Sequence, residues 1–138
     1  MAYEANKVNY CYVTTASRAG AGSAILQALK EAGINLLAFS GFPAGGGKAQ
    51  VDLVADKLGP IQKVAKKKGW KLSKAKKAFL IRGVDEVGAI EQPIAALAQR
   101  GVNITAADAV ASGDGRYGMI LWVKPKDYSR AAKVLMAR

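Results

Sequence analysis

The sequence contains no histidine. The commonest general base and the commonest metal ligand are therefore missing, and neither a Ser-His-Asp nor a Cys-His arrangement can be built. Cysteine occurs once, at Cys11. No intrachain disulfide can form, a zinc site of Cys and His ligands cannot be assembled, and a reducing compartment is indicated. No apolar run approaches the ~20 residues of a membrane helix. The polar opening Met1–Lys7, with Glu4, lacks the form of a signal peptide. Carboxylates and lysines are present, but none sits in a recognisable catalytic constellation. The absences indicate a cytoplasmic protein with no catalytic residues, no metal site, no cofactor and no membrane partner.

Acidic residues are also missing from one long stretch. Lys63, Lys66, Lys67, Lys68, Lys71, Lys74, Lys76 and Lys77 lie within fifteen residues that hold no Asp or Glu. The net charge is +11, and these eight lysines account for all but +3 of it. The basicity is thus local. A solvated, solubilising face is one reading. The other is a polyanion patch that meets nucleic acid, an anionic surface or an acidic partner chain. The run lacks the arginines and interleaved aromatics of a specific nucleic-acid site.

What the chain does have is 138 residues, half of them apolar, enough for one compact domain or two very small ones. It also repeats itself. A shift of 68 places superimposes Gly20, Ala21, Ala28, Leu29, Gly33, Asn35, Ala38, Gly45, Gly47 and Leu53 on identical residues, without a gap. Chance would supply roughly three such matches, so the copies read as a duplicated fold.

Each copy reads as β-α-β-β-α. In the first, Tyr10–Thr15 is a β-rich strand. A helix carries Ala24, Ile25, Ala28, Leu29 and Ala32 at helical spacing, with Ser23 as a candidate N-cap and Gly33 as the stop. Strands follow over Asn35–Phe42 and Gln50–Ala55, joined by a turn at Ala44–Lys48. That turn lacks the spacing of a phosphate loop. A second helix spans Gly59–Lys68, Gly69 stops it, and Trp70–Ser73 forms a short fourth strand. In the second copy the elements are Ala78–Arg82, a helix over Gln92–Arg100, strands Asn103–Ala111 and Gly118–Val123, and a last helix capped by Asp127. No sequence remains for its final strand. Its sheet stays three-stranded or borrows a strand, from the N-terminal segment or from another chain. The expected organisation is repeat 1 over residues 1–75 and repeat 2 over 76–138. The fold class is α+β, two tandem ferredoxin-like β-α-β-β-α-β repeats with antiparallel sheets and helices on one face. Bare sheet edges favour a homodimer or higher oligomer.

Val84-Asp85-Glu86-Val87-Gly88-Ala89-Ile90, followed by Ala95–Arg100 and Gly101-Val102-Asn103-Ile104, resembles an ACT domain. The first copy matches more loosely through Arg18-Ala19-Gly20 and Gly33-Ile34-Asn35-Leu36. The resemblance covers nearly the whole chain as a tandem pair. It implies a regulatory module that binds a small ligand, an amino acid, at the interface of paired domains and acts on a separate enzyme or regulator chain. Backbone N–H groups at a helix start suit a carboxylate, which places Gly20, Ala21 and Gly22, and equally Gly88, Ala89 and Ile90, beside it. The carboxylate of Asp85 suits the ligand's ammonium group; the first copy has Ser17 there. In this family the asparagine equivalent to Asn35 and Asn103 often touches ligand, though an Asn after Gly also serves the turn itself. Two alternatives stand beside this. One is nucleic-acid binding through Lys63–Lys77, with Gly115–Trp122 echoing the third-strand signature of an RNA-recognition motif. The other is a ligand-free interaction module.

Overall fold

The computed structural model describes residues 2–138. Six strands and four α-helices form an α+β fold: β1 (Tyr3–Ala16), α1 (Ala21–Glu31), β2 (Ala38–Gly45), β3 (Lys48–Ala55), α2 (Gly59–Lys68), β4 (Lys76–Val84), α3 (Glu91–Gln99), β5 (Ile104–Ala111), β6 (Arg116–Val123) and α4 (Tyr128–Leu135). They divide into two compact units, one of residues Asn9–Lys76 and the other of the segment up to Val8 with Lys77–Arg138.

In the Asn9–Lys76 unit, β3 pairs antiparallel with both β1 and β2. Val51, Leu53 and Ala55 share one face of β3 with Cys11 and Val13 of β1, and α1 and α2 cover that face through Ile25, Leu29 and Ile61. Gly46 and Gly47 have φ of 60° and 72°, the two positive values that a two-residue type I′ hairpin demands. In the other unit, β6 pairs antiparallel with β4 and β5. Tyr117, Met119 and Leu121 of β6 form the core with Phe79, Ile81 and Leu97, beneath Tyr128, Ala131, Ala132 and Leu135 of α4. Those four α4 positions follow the i, i+3, i+4, i+7 stripe of a core-facing helix.

The missing final strand comes from the chain's own N-terminus. The strand beside β4 is β1. Tyr3 and Ala5 join the core of the later unit, and Lys7 and Ala5 exchange backbone hydrogen bonds with Arg138 at 2.8 and 3.1 Å. The change of unit falls after Lys76, and residues 2–8 go with the later part.

The 68-residue offset reappears in the backbone. Gly20 and Gly88, Gly33 and Gly101, Gly45 and Gly113, and Gly47 and Gly115 all have φ between 69° and 92°. These identities recur because L side chains rarely adopt that conformation. Ser17 and Asp85 donate equivalent hydrogen bonds to Gly47 and Gly115, each 2.9 Å.

Several elements depart from expectation. The first strand runs from Tyr3 rather than Tyr10. α1 starts at Ala21 with Gly20 as its N-cap, so Ser23 lies inside the helix. β2 begins at Ala38, because Gly33–Leu37 returns the chain to the sheet edge, where the Leu37 N–H reaches the Val54 carbonyl at 2.8 Å. Trp70–Ser73 makes a single bridge, Leu72 to Val13, rather than a strand. Asp127 stands at the start of α4 but its carboxylate caps nothing; it pairs with Arg130 at 3.2 Å.

Candidate functional site

The loop after β1 is tied down at both ends. The Ser17 N–H donates to the hairpin at Gly47, Arg18 donates to Ala16 at 3.0 Å, and Ala21 donates to Arg18 at 3.3 Å. Gly20, at φ 87°, turns the chain into α1, and no side chain caps the helix. The N–H groups of the first turn have no intrahelical acceptor and carry the positive end of the helix dipole. Ala24 reaches Gly20 at 3.0 Å, which leaves the N–H groups of Gly22 and Ser23 available. The first turn holds no acidic residue.

An open cleft of about 420 Å³ lies against this helix start. Thr15, Ser17, Arg18 and Gly22 line one side, Ala49 and Val51 the floor, and β2 the far wall, where Phe39, opposite Leu53, is on the cleft face and Phe42, opposite Gln50, is on the other. Both rings are close to half exposed, so they offer an apolar surface that is not used in the core. Arg18 is the one charged residue in the lining. A site with helix N–H groups, one guanidinium and one aromatic wall suits a carboxylate attached to an apolar group.

The equivalent place in the other unit is built differently. Thr15 pairs with Ala49 across β1 and β3; 68 residues on, Gly83 pairs with Tyr117 across β4 and β6. Tyr117 is 3 % exposed and belongs to the core. A Cβ on Gly83 would stand 2.9 Å from its Cε1 and 2.8 Å from the Ala2 carbonyl, so only glycine admits the ring. The Tyr117 hydroxyl is buried without a hydrogen-bond partner. The charge is also reversed. Ser17, Arg18 and Ser23 correspond to Asp85, Glu86 and Glu91, and Glu91 sits in the first turn of α3. An anion is favoured at the α1 start and repelled at the α3 start.

Of the expected site residues, Ala21 and Gly22 line the cleft and Gly20 precedes them as the cap. Gly88, Ala89 and Ile90 lie in a turn ahead of α3 rather than in its first turn; Ala89 is buried in the core and Ile90 is exposed. Asp85 is exposed. Asn35 and Asn103 follow the opposite ends of α1 and α3. α1 has 11 residues, a rise of about 16 Å at 1.5 Å per residue, and Asn35 is not among the residues that line the cleft at its start. The lysine run is dispersed. Lys63, Lys66, Lys67 and Lys68 are on α2, while Lys71 and Lys74 follow it. The Lys76 ammonium lies 6.0 Å from the Tyr12 ring centre, and that of Lys77 lies 5.5 Å from the Tyr128 ring centre. Arg18, Phe39, Phe42 and Ala49 escaped the sequence reading. Their signal is where the copies differ, whereas the expected sites rest on where they agree.

Burial raises the pKa of several groups, Cys11 and Asp52 among them. Burial, with the Asp52 charge, pushes the Cys11 thiol up to about 11, so Cys11 is a core residue and a poor nucleophile. Burial also raises Asp52, against the opposing effects of the Gln50 hydrogen bond and the Lys76 charge. Tyr117 and Trp122 are both buried on β6, which leaves neither ring free to stack a base as the alternative signature requires. Among the described residues no three Cys, Asp or Glu side chains are grouped to hold a metal, and no helix is long and apolar enough to cross a membrane.

No protein-family model matches the chain, and no curated protein matches it. Solved structures do. A protein of Bacteroides thetaiotaomicron superimposes with a TM-score of 0.82 at 15% identity, over 96% of this chain and 88% of that one. The ligand-free regulatory subunit of aspartate kinase from Thermus thermophilus gives 0.64 at 17%, over 99% and 95%. The regulatory subunit of aspartate kinase from Thermus flavus gives 0.62 at 19%, over 98% and 94%. Identities this low speak to architecture alone, and this chain shares the α+β fold of these structures.

Proposed function

We propose that this chain is a non-catalytic regulatory protein, a tandem pair of ACT-type repeats that binds an amino acid in the cleft at the start of α1 and acts on a separate chain in the cytoplasm. One observation carries the reading: an uncapped helix start faces an acid-free cleft with Arg18 as its one charge. The ligand's carboxylate accepts from the Gly22 and Ser23 N–H groups, and its side chain lies against Phe39. The regulatory subunits with a similar fold support the assignment to regulation. The site is single in each chain, because Tyr117 and three carboxylates stand at the equivalent place. Asn35, Asp85 and Asn103 do not line this cleft; they meet a ligand from a paired repeat, in a homodimer or higher oligomer formed through the sheet edges.

The test is a thermal-shift screen of the twenty amino acids. A ligand at a hundredfold excess over its Kd stabilises the folded state by about 2.7 kcal/mol, several degrees in Tm. At least one amino acid should do so, and the shift should vanish in Gly22→Leu. A Cβ at Gly22 meets nothing within 4 Å, so that variant folds while filling the cleft. A flat screen with folded protein overturns the reading.

A further inference from the structure

A second cleft, of about 440 Å³, lies on the other flank of Arg18, between α1 and the segment that follows α2. Its floor is Val13, Ile25 and Ala28. Ala21, Ala24 and Ala28 of α1 fall at i, i+3 and i+7 on one helix face, and their small side chains leave the gap. The opposite wall is Trp70, flanked by Lys68 and Lys71.

This wall is held in place before any ligand arrives. Gly69 closes α2 in the left-handed conformation at φ 73°. The Trp70 N–H donates to Ala65 at 2.9 Å, Leu72 bridges to Val13, and Ser73 exchanges two hydrogen bonds with Tyr12, each 2.9 Å. The indole is half-buried against the core, with the remainder facing the cleft. Arg18, Lys68 and Lys71 thus converge from two separate segments on one aromatic surface, and no acidic residue lines the space. Among the described residues the one ion pair is Arg130 with Asp127, so no carboxylate neutralises these three cations. Lys66, Lys67 and Lys68 stand in the last turn of α2, at the negative end of its dipole, whereas Lys71 follows the helix and makes no ion pair.

We propose that this cleft binds a nucleoside phosphate, the phosphates held by Lys68, Lys71 and Arg18 and the base laid against Trp70 over the apolar floor. The volume is that of a small-molecule pocket, and stacking on an indole beside cations is how a flat, negatively charged molecule is held without sequence readout. An inorganic polyphosphate would satisfy the cations and leave the floor and the indole wet.

Titrating the full chain with ATP while following tryptophan emission tests the proposal. Of the two tryptophans Trp122 is buried, so the response belongs to Trp70 and should disappear in Trp70→Leu. Saturable quenching is expected, with affinity falling about tenfold or more in Lys68→Glu/Lys71→Glu. Tripolyphosphate should compete at least about tenfold more weakly than ATP. Absence of saturable binding by emission and calorimetry overturns the proposal, as does an unchanged affinity in the double-lysine variant. Equal binding of tripolyphosphate and ATP removes the base from the site and overturns it too. Gly22→Leu should leave ATP binding unchanged, since Gly22 lines only the first cleft, and Lys68→Glu/Lys71→Glu should leave any amino-acid shift in Tm unchanged, since those lysines line only the second; Arg18 borders both.

Discussion

At the scale of single residues, Asp52 and Gly83 carry the clearest physical consequences. Asp52 is the one charged side chain that is fully buried among the described residues, at 4 % exposure. Its folded pKa is raised by burial, so the folded chain holds the proton more tightly than the unfolded chain does. Asp52 therefore favours folding below the ordinary carboxylate pKa of about 3.9, and that contribution is lost as the pH rises through the folded value. Asp52→Asn keeps an acceptor for the Gln50 amide, now 2.9 Å away, and removes the buried charge. It should unfold at higher urea than the parent at pH 7, with the advantage shrinking toward pH 4. A variant less stable at pH 7 would show that the Lys76 attraction outweighs burial. Gly83→Ala should cost about 1–3 kcal/mol, read by urea unfolding, because its methyl meets the Tyr117 ring and the Ala2 carbonyl. Neither effect is legible in the sequence. Asp52 alternates within a strand like any solvent-facing residue, and Gly83 is one glycine among 15.

At the scale of elements, the strand-loop-helix corner decides what each copy can do. The recurring glycines build the same corner twice. The cross-strand pair beneath it, Thr15 with Ala49 or Gly83 with Tyr117, then leaves it open or fills it. Transplanting the filled arrangement with Thr15→Gly/Ala49→Tyr should abolish any amino-acid shift in Tm and preserve the β-rich circular-dichroism spectrum. Ala49→Tyr alone should destabilise by about 1–3 kcal/mol, since Thr15 retains the Cβ that the ring must pass. A double variant that still binds would place the ligand elsewhere. The elements themselves were legible from periodicity and glycine: α2 is found at Gly59–Lys68 as expected, and both hairpins lie at their glycine turns. Element starts were less so. Ser23 has the chemistry of an N-cap, yet the left-handed Gly20 takes that position because the Ser17–Gly47 tie brings the chain in earlier.

At the scale of the whole molecule, the opening segment completes the last unit. Tyr3, Ala5 and Val8 are buried, and Arg138 is held by Ala5 and Lys7. Removing residues 2–8 should destabilise the Lys77–Arg138 unit by about 3 kcal/mol or more, from the loss of the Tyr3 ring and one strand edge. The tryptophans allow each unit to be followed separately, with Trp70 in one and Trp122 in the other. In a Trp70→Phe background the deletion should lower the unfolding midpoint seen by Trp122. An unchanged midpoint would mean that the borrowed strand contributes nothing to that unit.

The α+β class and most of the elements were legible in the sequence, because hydrophobic period and glycine placement are local and recur at the 68-residue offset. The sequence also carried the open question of the missing strand, which is a matter of counting. Only the tertiary structure decided which corner is open. That depends on a ring crossing to a glycine thirty-four residues away in sequence and on which charges gather at a helix start, both of them relations through space. It likewise decided that three of the chain's many cations converge on one indole, where a linear run of lysines had suggested a single face.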